Sequence, residues 1–175
     1  MSMRDEIRFR VEEGRLIVLE PALPTSPVVR TMLVAPNIAD LLNGPWSNQQ
    51  EEYRFGRLRS DFDAFIEGLY ISACMVPYSA KTAYIASLDP PAEGVWEIRS
   101  RDPKPSLRVF GFFAEVDVFI ALTIFNRNLL GGSNTREWRD AIVGCKAEWR
   151  KLFSPYQPLI AETINEYISA KVFLV

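Results

Sequence analysis

The sequence predicts an α+β fold in which amphipathic helices pack against a mostly antiparallel sheet. A three-strand meander is indicated in the C-terminal half, and apolar residues recur at helical spacing both before and after it. The length of 175 residues matches one domain. A composition of 48% hydrophobic and 24% charged residues excludes disordered, collagen-like and coiled-coil polymers. We therefore expect a single domain over residues 1–175.

The meander consists of three runs rich in β-branched and aromatic residues, a composition typical of strands. A basic, proline-containing loop at 101–105 separates the first two runs, and a tight turn at 115–117 separates the last two. The three predicted strands cover residues 95–99, 107–114 and 118–125.

Two longer helices flank this meander. The helix before it is indicated by five apolar residues spaced three or four positions apart, which places them on one face: Phe55, Leu58, Phe62, Phe65 and Leu69. After the meander, Asn134 or Thr135 can cap a helix whose buried stripe is similarly spaced: Trp138, Ile142, Cys145, Trp149 and Leu152. With an amphipathic segment at 159–168, this helix forms a C-terminal helical extension over about 134–175.

The first fifty residues, about 1–50, are predicted to form an N-terminal extension. Strict alternation over 7–11, followed by a Glu-Glu-Gly turn and the apolar run 16–19, predicts a β-hairpin. Three prolines over 21–27 predict a surface loop. A short helix over 37–42 and a second helix capped by Ser47 are expected to follow.

Several kinds of chemistry are excluded by composition. The absence of histidine removes Ser-His and Cys-His nucleophiles and histidine-ligated metal sites. Cys74 and Cys145 fit buried free thiols better than a disulfide framework or a zinc site. No glycine-rich phosphate loop or metal-ligand spacing is present, so we expect no cofactor and no metal. Charges near the N-terminus and the lack of a long apolar stretch predict a cytoplasmic protein without a membrane partner.

Basic residues concentrate in the second half of the chain. Residues 1–98 carry a net charge of -5 and residues 99–151 a net charge of +4, which points to an anionic partner. Alternation predicts that Arg99 and Arg108 share the exposed face of adjacent strands, with Lys104 in the loop between them. Such arginines can hold phosphate oxygens. The alternative is an ordinary surface ion pair between Arg99 and Glu97 or Glu115.

Three motifs in this region belong together: Gly94-Val95-Trp96-Glu97-Ile98-Arg99, then Leu107-Arg108-Val109-Phe110, then the strand end Phe125-Asn126-Arg127. The segment that they span, 94–127, resembles the RelE/ParE superfamily of bacterial toxins, and within it the HigB-like, phage-associated branch. The resemblance implies a small α+β domain whose toxin members bind ribosome-bound mRNA and cleave it. It also implies an antitoxin protein that holds the toxin inactive.

Residue roles follow from the resemblance. Arg99 and Arg108 match arginines that stabilise charge on the reacting phosphate, and Lys104 is the candidate base. Tyr156 is a candidate orienting group on residue type and position alone. Further basic residues are candidates for RNA binding: Arg101, Arg127, Arg139, Lys146 and Arg150.

Departures from the family pattern keep two functions open. The chain has no histidine, carries Asn126-Arg127 in place of a lysine pair, and is longer and more acidic, with a pI of about 5.3. The first hypothesis is a metal-independent, ribosome-dependent mRNA endoribonuclease of a type II toxin-antitoxin system. The second is a non-catalytic binding or oligomerisation module on the same scaffold, in which the helix of Trp138 and Trp149 supports a homo-oligomer or a partner protein.

Overall fold

The apolar strands of the chain join into one eight-stranded sheet in the computed structural model, which describes residues 1–175. The order across the sheet is β1-β2-β7-β6-β5-β4-β3-β8. In chain order the strands are β1 Ile17–Val18, β2 Thr31–Val34, β3 Ile71–Cys74, β4 Ile85–Ser87, β5 Trp96–Ser100, β6 Leu107–Glu115, β7 Val118–Asn126 and β8 Val172–Leu174.

The α+β class is confirmed, whereas the sheet is mixed instead of mostly antiparallel. Strand β2 runs parallel to β7, and β3 runs parallel to both β4 and β8; the other four pairings are antiparallel. Parallel neighbours cannot be joined by a tight hairpin: β2 and β7, and β3 and β8, are distant in sequence, while residues 75–84 connect β3 to β4. The sequence signals do not mark β2, β4 or β8 as strands, and the parallel pairings were missed with them.

The predicted meander is confirmed as β5, β6 and β7. Gly111 lies at a register shift between β6 and β7. A Cβ atom at this position would overlap the carbonyl oxygen of Ile120. The close approach of the two backbones therefore requires glycine.

Five helices accompany the sheet: α1 Met3–Glu12, α2 Pro36–Asn43, α3 Gln49–Ile66, α4 Arg127–Leu130 and α5 Arg136–Phe153. Helices α2 and α3 pack on one sheet face, over a core that includes Phe62, Phe65 and Trp96. Helix α5 packs on the other face, against Phe110 and Phe112. Both faces of the central strands are thus buried.

The predicted N-terminal hairpin is wrong in its first half, because residues 7–11 lie within α1. Ser2 and Asp5 form a capping box that starts this helix. Met3, Ile7 and Val11 are four residues apart, and they pack against the core on the α5 side of the sheet. The second half is a strand, β1, but its partner is β2.

Other boundaries differ in smaller ways. Helix α3 is capped by Asn48 in place of Ser47, and α5 is capped by Thr135. The predicted loop after β7 begins with the single turn α4. The segment predicted as an amphipathic helix at 159–168 is mostly irregular, with one short 3₁₀ helix at Ile164–Glu166, and strand β8 follows it. Strands β1, β2 and β8 therefore place parts of both expected extensions in the common sheet.

Arg30 joins three segments of the fold. Its buried guanidinium donates hydrogen bonds to the carbonyl oxygens of Phe65 and Leu69, at 3.1 Å each, and of Ala170 and Lys171, at 2.9 and 3.2 Å. The guanidinium carbon also lies 5.4 Å from the centre of the Phe65 ring. This side chain therefore attaches the C-terminal segment to the end of α3 and the start of β2.

We expect Arg30→Met to lower the free energy of unfolding by about 2–4 kcal/mol, because four carbonyl oxygens lose a charged donor. Urea unfolding followed by circular dichroism measures this change. The control is Arg8→Met, because Arg8 forms an exposed pair with Asp5 and its loss should cost at most about 1 kcal/mol. Equal effects of the two variants would contradict the role given to Arg30.

Both cysteines are free and buried, as the sequence predicts. Burial raises the pKa of the Cys145 thiol to about 12, and the thiolate is the reactive form. We expect a thiol reagent at about pH 8 to label neither cysteine of the native protein and both after denaturation. Rapid native labelling would show that Cys145 or Cys74 is accessible.

Candidate functional site

The arginines singled out by sequence, Arg99 and Arg108, are direct cross-strand partners on β5 and β6. They lie on the α5 side of the sheet, as does Glu97. The expectation that this face is open to solvent is wrong. The side chains of Arg99, Arg108 and Glu97 are only 8%, 13% and 2% exposed, since the loop at 78–81 and the start of α5 cover them.

A single carboxylate holds both arginines. Nε of Arg99 lies 2.7 Å from Oε1 of Glu97, and Nε of Arg108 lies 3.4 Å from Oε2. Of the two predicted alternatives for Arg99, pairing with Glu97 is confirmed, but as a buried pair and not as a surface pair. Glu115 pairs instead with Arg4.

Further hydrogen bonds orient the two guanidinium groups. Nη1 of Arg99 donates to the carbonyl oxygen of Ala80 at 2.6 Å. Nη1 of Arg108 donates to Oγ of Ser106 at 2.8 Å and to the carbonyl oxygen of Leu107 at 3.1 Å. The remaining nitrogen, Nη2, of each arginine makes no hydrogen bond within the protein and is not sealed in the core. These nitrogens are free to donate to a ligand.

A third guanidinium comes from Arg127, the first residue of α4. Its guanidinium carbon lies 5.1 Å from the centre of the Trp138 ring, a distance typical of cation–π contact. Its Nη1 donates to the carbonyl oxygen of Gly131, while Nε and Nη2 are unpaired. The buried indole N–H of Trp138 also has no hydrogen-bond partner.

These groups line one cavity of about 390 Å³, which we call the guanidinium pocket. Its walls carry four cationic side chains and one carboxylate, a net charge of +3. The pKa of Arg108 falls to about 10, first because burial disfavours the charged form and then because Arg99 and Arg127 lie nearby, although Glu97 opposes the shift. An anion in this cavity would relieve that repulsion. The full lining is Tyr78, Ala80, Lys81, Glu97, Arg99, Arg108, Arg127, Ser133 and Trp138.

Two of the predicted basic residues in the 101–105 loop do not line the pocket. Lys104 is 75% exposed, and its Nζ lies 3.7 Å from Oδ1 of Asp102. Arg101 donates to the carbonyl oxygens of Lys81 and Ala83. It thereby braces the loop that covers Arg99.

The predicted basic residues on α5 are spread over other surfaces. Arg139 lines a neighbouring cavity of about 360 Å³. Lys146 pairs with Glu93 at 2.7 Å. Arg150 and Tyr156 line a small cavity of about 80 Å³ near the end of α5, where the Tyr156 hydroxyl donates to the carbonyl oxygen of Met1. Of the eight predicted basic residues, the guanidinium pocket therefore brings together Arg99, Arg108 and Arg127.

Sequence reasoning missed the pocket residues contributed by the loop between β3 and β4 and by the turn before α5. Tyr78, Lys81 and Ser133 reach the site because β4 pairs with β5 and because α4 turns the chain back over the sheet. No local sequence pattern marks such non-local neighbours. The chain contains no group of three or more His, Cys, Asp or Glu side chains placed to hold a metal ion.

Comparison of the chain with protein-family models, curated proteins and solved structures finds no match. None of the helices combines the length and the apolar character needed to cross a lipid bilayer.

We expect Glu97→Gln to lower the free energy of unfolding by about 3 kcal/mol, because two buried guanidinium groups lose their carboxylate. Chemical denaturation measures this effect. The matched control is Glu115→Gln, whose exposed partner Arg4 predicts a change below about 1 kcal/mol. The charge-balanced double variant Glu97→Gln/Arg108→Gln should recover part of the loss. If Glu97→Gln and Glu115→Gln are equally mild, Glu97 does not organise the pocket.

Proposed function

We propose that the protein binds RNA and holds one phosphate of the strand in the guanidinium pocket. The observation that carries this proposal is the convergence of Arg99, Arg108 and Arg127 on one cavity of net positive charge. The resemblance of residues 94–127 to RelE/HigB-like toxins supports RNA as the class of polyanion.

The chemistry of the pocket favours phosphate among anions. Guanidinium groups donate in a planar fork that matches phosphate oxygens, and they keep their charge at neutral pH. Glu97 and backbone carbonyl oxygens fix Arg99 and Arg108. Because these donors are held before the ligand arrives, less conformational entropy is lost on binding.

The position of the base predicted from the sequence favours binding over cleavage. Lys104 lies outside the pocket and is paired with Asp102. Glu97 is the only carboxylate within the pocket, and both of its oxygens face arginines: Oε1 lies 2.7 Å from Nε of Arg99 and Oε2 lies 3.4 Å from Nε of Arg108. A non-catalytic RNA-binding module on the RelE/HigB-like scaffold is therefore the function that we put first.

The second candidate is the ribosome-dependent mRNA endoribonuclease of a type II toxin-antitoxin system. It is favoured by the positions of Arg99 and Arg108 side by side in one cavity. Their fixed positive charge would stabilise the extra negative charge of a phosphorane. This function implies a cytoplasmic location and an antitoxin partner. Growth arrest on induction of the wild type, absent for a folded Arg127→Gln variant, would favour it over the module.

RNA binding is tested by fluorescence anisotropy with a labelled single-stranded RNA. Arg127→Gln removes the one pocket arginine that is not paired with Glu97, so the fold should survive. We expect about a ten-fold or greater loss of affinity, because one charge-assisted hydrogen bond contributes about 1.5–3 kcal/mol. The slope of log K against log salt should also become shallower by about 0.7.

The matched control is Arg136→Gln. Arg136 is exposed, pairs with Asp140 and does not line the pocket, so its loss should leave affinity within about two-fold. Circular dichroism confirms that both variants are folded. Absence of RNA binding by the wild type, or equal binding by wild type and Arg127→Gln, would overturn the proposed function.

A further inference from the structure

We infer that the guanidinium pocket takes the terminal phosphate monoester of an RNA strand in preference to an internal phosphodiester. This inference rests on the proposed function and specifies the part of the RNA that enters the site. It follows from the number of free donors, the charge of the pocket and the cavity that adjoins it.

The free donors match the oxygens of a terminal phosphate. Arg99 and Arg108 each present Nη2, and Arg127 presents Nε and Nη2. Three guanidinium groups therefore face one cavity. A phosphate monoester has three unsubstituted oxygens, one for each guanidinium, whereas an internal phosphodiester has only two. With a diester, the free nitrogens of one of the three arginines would have no phosphate oxygen of their own.

The charge of the pocket leads to the same ligand. Its net charge is +3, and a phosphate monoester carries about -1.5 to -2 at neutral pH. An internal phosphodiester carries a single negative charge. The side chains of Arg99 and Arg108 are only 8% and 13% exposed, so solvent screens their charges weakly. Each additional negative charge on the ligand therefore strengthens binding more than it would at an exposed site.

The surroundings provide a place for the single substituent of a monoester. The cavity of about 360 Å³ that contains Arg139 shares Tyr78, Ser133 and Trp138 with the pocket. These shared residues place the cavity beside the pocket, and this is where we infer that the nucleotide of the terminal phosphate lies. Two other cavities, of about 530 Å³ beside the start of α2 and about 440 Å³ beside α3, share no residue with the pocket, so neither offers a strand a second direction out of the site.

The test compares one short RNA sequence in three forms: 5′-phosphorylated, 3′-phosphorylated, and with hydroxyl groups at both ends. A hydroxyl-ended RNA two nucleotides longer controls for total charge, because its two added phosphodiesters carry about the charge of one terminal phosphate. Anisotropy at about 100 mM salt keeps the non-specific electrostatic term small. We expect at least one phosphorylated form to bind about ten-fold more tightly than both hydroxyl-ended RNAs. This preference should fall to about two-fold or less in Arg127→Gln and persist in Arg136→Gln.

The outcomes separate this inference from the proposed function. If all forms bind equally and Arg127→Gln weakens all of them, RNA binding stands and the end preference is overturned. If no form binds, the proposed function fails as well. Competition with inorganic phosphate tests whether the monoester belongs to an RNA end or is a free phosphate. If inorganic phosphate competes weakly, and abolishes only the preference for phosphorylated RNA, the ligand is an RNA end. Inorganic phosphate that binds as tightly as phosphorylated RNA overturns the assignment to RNA.

Discussion

Burial of the sheet on both faces is the constraint on which the rest of this structure depends. Successive side chains of a strand point to opposite faces, so β6 must contribute apolar side chains to two hydrophobic cores. Val109 and Phe113 enter the core beside α3, while Phe110 and Phe112 enter the core beside α5. A charged residue on such a strand has few acceptable environments, because an isolated buried charge is strongly unfavourable. It must be paired, or it must border a cavity.

Glu97, Arg99 and Arg108 meet both conditions. On the face that α5 covers, Glu97 and Arg99 come after Val95, and Arg108 comes before Phe110, at the point where this cover gives way to a cavity. One carboxylate lies against Nε of both guanidinium groups, at 2.7 Å for Arg99 and 3.4 Å for Arg108. The same ion pairs that make burial of the arginines tolerable therefore also orient them. Arg127 lines the same cavity without a carboxylate partner, because its guanidinium group makes a cation–π contact with the ring of Trp138.

The N-terminus shows how one pattern can support two structures. Alternation over 7–11 fits a half-buried strand, but Ile7 and Val11 are also one helical turn apart. A capping box between Ser2 and Asp5 satisfies the first free backbone donors of a helix. The core beneath α5 offers the apolar surface that Ile7 and Val11 need. Helix formation was decided by this cap and this surface together, and alternation alone does not reveal the surface.

The sequence by itself determined the meander, helices α3 and α5, the buried thiols, and the adjacency of Arg99 and Arg108. All of these depend on local periodicity, composition and short turns, which a stretch of chain carries within itself. Tertiary structure alone decided the parallel positions of β2, β3 and β8 and the burial of the two arginines. It also brought Tyr78, Lys81 and Arg127 to the same cavity. These features arise where distant segments meet, and the free energy that selects them comes from packing between segments, which no local pattern encodes.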